Sequence, residues 1–226
     1  MAIVCFRNML DPKMKRLGSF LKRIQRRHSS NVAVIYSPRK YDYIQAISSN
    51  IDATFIIVAH GSENEIYHRL KTPQSTPPQI LLGTHSEIFP KKVIAISCGS
   101  GRNLGPTMIE NGQCQVYLGF KSKIHFDKKY PVDSLASARY TMHIQELYKT
   151  VFEKILEKSI NEKWTFEKLS RILQWELKRE SVIQAKNIKI RFPHSYIAND
   201  ISQTIIAATN VASNIVLLGN ELEIVN

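Results

Sequence analysis

Two short stretches of this chain put a nucleophile and a base just past apolar runs. Thr54-Phe-Ile-Ile-Val-Ala59 leads into His60-Gly61-Ser62, and Val93-Ile-Ala-Ile96 leads into Ser97-Cys98-Gly99-Ser100-Gly101. A thiol is a weak nucleophile until it loses its proton. An imidazole within reach can take that proton and later return one to a leaving amine. A carbonyl under attack develops negative charge that fixed donors must meet, and the backbone N–H groups of Gly61 and Cys98 are the candidates. A glycine after the histidine lets a substrate carbonyl approach with no Cβ in the way. A helix expected after Gly101 would aim its positive end at Cys98, and Arg102 would add charge. Each half alone has a plainer reading. His-Gly at a strand end is often only a turn, and a lone Cys in an apolar run is usually a small buried hydrophobe.

His60 and Cys98 meet only if the two apolar runs are neighbouring strands of one sheet. Four runs look like buried strands: Val32–Tyr36, Thr54–Ala59, Val93–Ile96 and Gln115–Phe120. They are nearly continuous in apolar residues rather than alternating, which a parallel sheet covered on both faces requires. Helical or loop segments lie between them, at Arg39–Ser49, Ser62–Lys92 and Arg102–Asn111. The fold class expected is α/β with a mostly parallel central sheet flanked by helices. The carboxyl ends of adjacent strands in such a sheet share one edge, where ligands bind. The stretch 62–92 is polar and holds Pro73, Pro77, Pro78 and Pro90, so a hairpin or loops over the top of the sheet are expected there.

The last third reads as helical. Asp133 or Ser134 can cap a helix running to about Lys158, with Ile144, Tyr148, Val151, Phe152 and Ile155 on one face. Thr165 can cap a second helix, striped by Leu169, Ile172, Leu173 and Leu177, and Asn214–Asn220 reads as a final strand. These stripes are core rather than a cofactor box. No cofactor and no metal are expected: the three cysteines (Cys5, Cys98, Cys114) form no Cys-x-x-Cys pair, and the seven histidines show no ligand spacing.

The 226 residues fit one domain. Residues 1–31 form a basic N-terminal helical segment of that domain, and residues 32–226 form the rest. The net charge is +12, and residues 1–31 hold eight Lys/Arg against one Asp. Leu17, Phe20, Leu21 and Ile24 recur there at helical spacing among basic residues 13–27, so an amphipathic helix is expected. Nucleic acid, an acidic partner or a membrane surface could dock on it; a solvated helix covering the sheet edge is favoured. No apolar run reaches the roughly 18 residues of a membrane span. Met1–Phe6 is too short for a leader core, so a cytoplasmic location is expected.

The chemistry-bearing stretches resemble the caspase-like cysteine peptidases, in particular the CHAT group. The matching residues are Ile56-Ile-Val-Ala-His60-Gly61 and Val93-Ile-Ala-Ile-Ser-Cys98-Gly-Ser-Gly101, then Leu104-Gly105, a helix closing at Asn111-Gly112, and Val116-Tyr-Leu-Gly119. Leu147–Leu156 is similar to the family's long helix and Ile215–Gly219 to its closing strand. The likeness spans roughly residues 30–220 and is specific around the two motifs. The family's usual Trp near the final strand is absent, and no Pro follows His194.

The resemblance implies a caspase-like three-layer sandwich whose Cys–His dyad cleaves peptide bonds. Cys98 then matches the nucleophile, His60 the general base, and Gly61 and Cys98 the oxyanion donors. Relatives place a polar or acidic residue two before the cysteine, in the substrate pocket; that position is Ile96 here. Asp127, after the fourth strand, is a second candidate for the pocket wall. The partners implied are a protein or peptide substrate and a regulatory protein. Two other readings stay open. One is a catalytically silent binding module acting through the basic helix. The other is a serine esterase with Ser97 as nucleophile, using Asp127 or Asp133 with His143 or His194.

Overall fold

A computed structural model of the chain describes residues 2–68, 79–124, 135–191 and 197–226. Nine strands and seven helices are present among them. The main sheet is built from β1 (Ile3–Arg7), β2 (Val32–Tyr36), β3 (Thr54–Val58), β7 (Lys92–Ile96), β8 (Val116–Phe120) and β9 (Ile215–Gly219), in the order β2-β1-β3-β7-β8-β9. The first five run parallel, and β9 is antiparallel to β8. An α/β fold with a mostly parallel sheet between helices is therefore what the apolar runs form. A second, antiparallel sheet of β4 (His60–Gly61), β5 (Glu65–His68) and β6 (Gln79–Gly83) rises from the end of β3. It supplies the hairpin expected in the stretch after Ser62.

Every residue of β1, β3, β7 and β8 is buried, because helices cover both faces. Alternation splits the strands between two cores. Cys5, Ile56, Val58, Ile94, Ile96, Leu118 and Phe120 face α1 (Pro12–Leu17), α2 (Ser19–Arg27), α5 (Leu135–Asn161), α6 (Phe166–Arg191) and α7 (Ile197–Ser213). Val4, Phe6, Phe55, Ile57, Val93, Ala95 and Tyr117 face α3 (Lys40–Ser49), α4 (Leu104–Glu110) and the small sheet. The expected stripes are core: Ile144, Tyr148, Val151, Phe152 and Ile155 of α5, and Leu169, Leu173 and Leu177 of α6, are all buried. The Thr165 hydroxyl accepts the Lys168 N–H at 3.2 Å, capping α6 as expected. Asp133 and Ser134 lie outside the described residues. No described helix is long and apolar enough to cross a membrane.

The N-terminal segment differs from its sequence reading in two ways. Ile3–Arg7 is not a leader to a helix. It is an inner strand, bonded to β2 on one side and β3 on the other. The basic helix is two helices, broken at Gly18. A Cβ there would meet Arg7 Cγ at 3.1 Å and Val58 Cγ1 at 3.3 Å, so the chain passes tightly against the sheet. The apolar stripe of α2 packs on α5 and the edge strand β2, burying Phe20, Leu21 and Ile24. On its flank, Arg23 pairs with Glu153, and Arg27 pairs with Glu153 and Glu157. The helix covers the sheet edge, and part of its charge is met within the fold.

The strand β1 makes the first residues structurally costly to alter. Phe6 is fully buried, its ring edge-on to Phe55 (5.5 Å between centroids) and Tyr43 (5.8 Å). Phe6→Ala is expected to lose about 3–5 kcal/mol of unfolding free energy, read from urea denaturation. A peripheral helical tail would tolerate the change.

Candidate active site

The strand pairing decides whether His60 and Cys98 meet. β3 and β7 are adjacent and parallel, with Val58 opposite Ile96 as the last registered pair. His60 and Cys98 each stand two residues further on, past the carboxyl ends. By alternation both belong to the face of Val58 and Ile96, and Cys98 packs against that core. The backbones are close there. A Cβ on Gly61 would lie 2.5 Å from the Cys98 carbonyl oxygen and 3.0 Å from the Cys98 nitrogen. Gly61 thus serves first as the gap that lets the two strand ends touch. Its neighbour Gly99 has φ +72, where a side chain is strained, and a Cβ would lie 3.3 Å from the Ser62 carbonyl carbon.

The two loops are tied together. Arg102 pairs with Glu63, Asn103 Nδ2 donates to Asn64 Oδ1 at 2.6 Å, and the Leu104 N–H donates to the Glu63 carbonyl at 2.8 Å. Arg102 therefore spends its charge on Glu63 rather than on the thiol. The helix after Gly101 begins only at Leu104, with two turn residues between.

Of the three thiols, Cys5 and Cys114 are buried and Cys98 is half-buried. Burial pushes all three up, Cys114 to about 12. For Cys98, two influences pull the other way: the Ile124 N–H, which donates to its sulfur at 3.3 Å, and the charge of Lys123. The Gly99 N–H donates to the Ser122 carbonyl at 3.1 Å, so the segment after β8 lies against the cysteine loop.

His60 sits between a ring and a carboxylate. Tyr67 of β5 stacks on it at 5.9 Å between centroids, and Asp11 Oδ1 is 3.7 Å from its Nε2. Asp11 was missed by the sequence reading. The signal for it was Asp11-Pro12, a cap followed by a proline at the first helical position, just after an apolar run. Next to His60, His68 is 1% exposed and neither ring nitrogen has a hydrogen-bond partner among the described residues.

The remaining expected site residues fall elsewhere. Ile96 is 2% exposed and part of the core, so it lines no open groove among the described residues. Its side chain is committed to the helix-covered face. Asp127 and His194 lie outside the described residues. Ser97 is 1% exposed, and its hydroxyl donates to Ser100 Oγ at 2.7 Å; Tyr117 donates to the same oxygen at 2.7 Å. Ser97 thus faces the core opposite to that of Cys98. A cavity of about 420 Å³ lies on that opposite face, between α3 and β6, lined by Tyr43, Ile44, Ile80 and Ile88 and rimmed by Lys40 and Glu87. Among the described residues, no group of three or more His, Cys, Asp or Glu could hold a metal ion.

No model of a known protein family matches the chain, and no curated protein matches it. The arrangement itself is a half-buried thiol, an imidazole one strand away and a carboxylate behind the imidazole. These are the groups that proton transfer from a thiol to an imidazole requires.

Two outcomes follow from this packing. Gly61→Ala must push the strand ends apart. It is expected to cost about 1–3 kcal/mol in urea denaturation and to slow modification of Cys98. His68 has its pKa lowered to about 4, first by burial and then by the charge of His60. The unfolded chain takes up that proton more readily, so stability is full above the ordinary histidine range and falls as pH drops through it toward 4. The loss from this group reaches about 3 kcal/mol. His68→Leu is expected to remove that part of the acid sensitivity, read from unfolding midpoints between pH 7 and 4.

Proposed function

We propose that the protein is a cysteine endopeptidase of the caspase-like, CHAT-type class, acting on a protein substrate. The observation that carries the reading is the β3–β7 register, which brings two strand ends with the right chemistry side by side. The sheet order, the small sheet rising directly from His60, and the close fit of Gly61 on Cys98 support it.

In the proposed reaction, His60 takes the proton from the Cys98 sulfur. The thiolate adds to the carbonyl carbon of the scissile peptide bond. The oxyanion is met by the N–H groups of Gly61 and Cys98. The tetrahedral species collapses as the C–N bond breaks, and the leaving amine receives the proton held by His60. A thioester remains on Cys98. Water, deprotonated by His60, then adds to it, the C–S bond breaks, and the sulfur recovers its proton as the carboxylic acid product leaves. No cofactor enters these steps.

A buried thiol that accepts the Ile124 N–H fits a resting state of low activity. That is why a regulatory partner or signal belongs to the proposal, and a cytoplasmic setting suits a free catalytic thiol. Two features weigh against the other readings. Ser97 is sealed from solvent by its bond to Ser100, which disfavours the esterase. The ion pairs of Arg23 and Arg27 with α5 reduce the charge left for nucleic acid on residues 13–27.

The test is the rate at which a peptide-mimicking electrophile adds to each cysteine at neutral pH, with mass spectrometry locating the adduct. Cys98 is expected to label faster than Cys5 and Cys114. His60→Ala is expected to slow that labelling by about 10²-fold or more. Cys98→Ala is expected to abolish cleavage of any substrate while the chain still folds, with a loss of about 1–3 kcal/mol in urea denaturation as the Ile124 N–H loses its acceptor. Equal labelling of all three thiols, unaffected by His60→Ala, would refute the proposal.

A further inference from the structure

We infer that Asp11 is the positioning residue for His60, completing an acid–imidazole–thiol relay at the point where the sheet changes direction. The inference rests on the peptidase reading and extends it from a pair to three groups.

Its origin is topological. β1 is followed by β2 on one side, and the chain then returns to β3 on the other side of β1. The connections leaving β1 and β3 therefore part in opposite directions, which opens a crevice at their carboxyl ends. Asp11 leaves β1 on one wall and His60 leaves β3 on the other.

The carboxylate is held before the imidazole needs it. The Asn8 N–H donates to the Val58 carbonyl at 3.1 Å, anchoring the Asp11 loop to the strand that delivers His60. Asn8 Oδ1 in turn accepts the N–H groups of Leu10 (2.8 Å) and Asp11 (3.3 Å). Asp11 Oδ1 accepts the N–H groups of Lys13 (2.8 Å) and Met14 (2.9 Å) as the cap of α1. Asp11 is 8% exposed. A surface acid would be screened by water and free to swing, whereas this one is fixed and largely dry.

Its task follows from the state of the thiol. Burial disfavours the thiolate of Cys98, so proton transfer to His60 needs the imidazolium stabilised in compensation. Asp11 is a carboxylate that the structure places beside that ring, 3.7 Å from Nε2. The other titratable groups beside His60 are Tyr67 and His68 from β5, and Cys98 stands past the end of the adjacent strand β7. Of these, buried His68 is uncharged at neutral pH, which leaves Asp11 to supply the negative charge beside the ring. A fixed carboxylate beside Nε2 also favours the charged ring and biases its orientation.

Asp11→Asn tests this in the full chain, because asparagine caps a helix as well as aspartate does but carries no charge. The measurement is the pH dependence of Cys98 labelling by the peptide-mimicking electrophile, run beside wild type and His60→Ala, with unfolding midpoints for each. Asp11→Asn is expected to label about tenfold or more slowly at neutral pH. The deficit should shrink in alkali, where the thiol ionises without the imidazole. Asp11→Ser, also a capping residue, is expected to give the same profile, so a folding defect in one variant does not decide the matter. A wild-type profile in both variants, with His60→Ala still slow, overturns the role of Asp11 and leaves the pair standing. If His60→Ala has no effect, the peptidase reading and the relay fall together.

Discussion

The closeness of two backbones beyond β3 and β7 governs the rest of the carboxyl edge. The space where a Gly61 side chain would sit is taken by the Cys98 carbonyl and nitrogen. That contact exists only in one register. Sliding β3 by one residue against β7 would carry His60 to the opposite face of the sheet from Cys98. The slip is prevented from within: Ile56 and Val58 are committed to one core, Phe55 and Ile57 to the other, and helices cover both. Burying a large aliphatic or aromatic side chain is worth roughly 1.5–3 kcal/mol. Several would be misplaced by a slip, so the placement of the two chemical groups is inherited from ordinary core packing.

The loops past the strand ends add orientation rather than proximity. The Glu63–Arg102 pair is exposed and contributes little energy by itself. The backbone bond from Leu104 to Glu63 and the Asn103–Asn64 contact act with it to make the two loops one body. On the other flank, Asn8 performs the same office for the Asp11 loop through Val58. The imidazole is thus bracketed by elements that are each bonded to its own strand. Opposed to this order is the burial of the thiol, which holds it in the protonated form in the resting arrangement.

Much of this was readable from residue order. The buried parallel strands announce themselves as unbroken apolar runs, and both strand ends carry their chemistry in plain view. Three features were not legible, each for a physical reason. β1 is four apolar residues and an arginine near the start of the sequence, and nothing local distinguishes an inner strand from a leader fragment. Asp11 gains its meaning only from β1 lying beside β3, a pairing of segments about 50 residues apart. Arg102 looked like a charge for the thiol because it is near in sequence, but it reaches across to Glu63 of a different loop. Ile96 shares the face of Cys98 and is buried there, where the helices still cover the sheet. Asp127 belongs to the residues not described.

The bond from the Ile124 N–H to the Cys98 sulfur gives the site a mechanical dimension. A sulfur carrying an acyl group is a poorer acceptor than a thiol or thiolate, because the carbonyl draws its electron density away. Ile124 is 3% exposed, so its amide would find no water to replace what it loses. In the proposed reaction, acylation of Cys98 would therefore weaken the hold on Ile124, and deacylation would restore it.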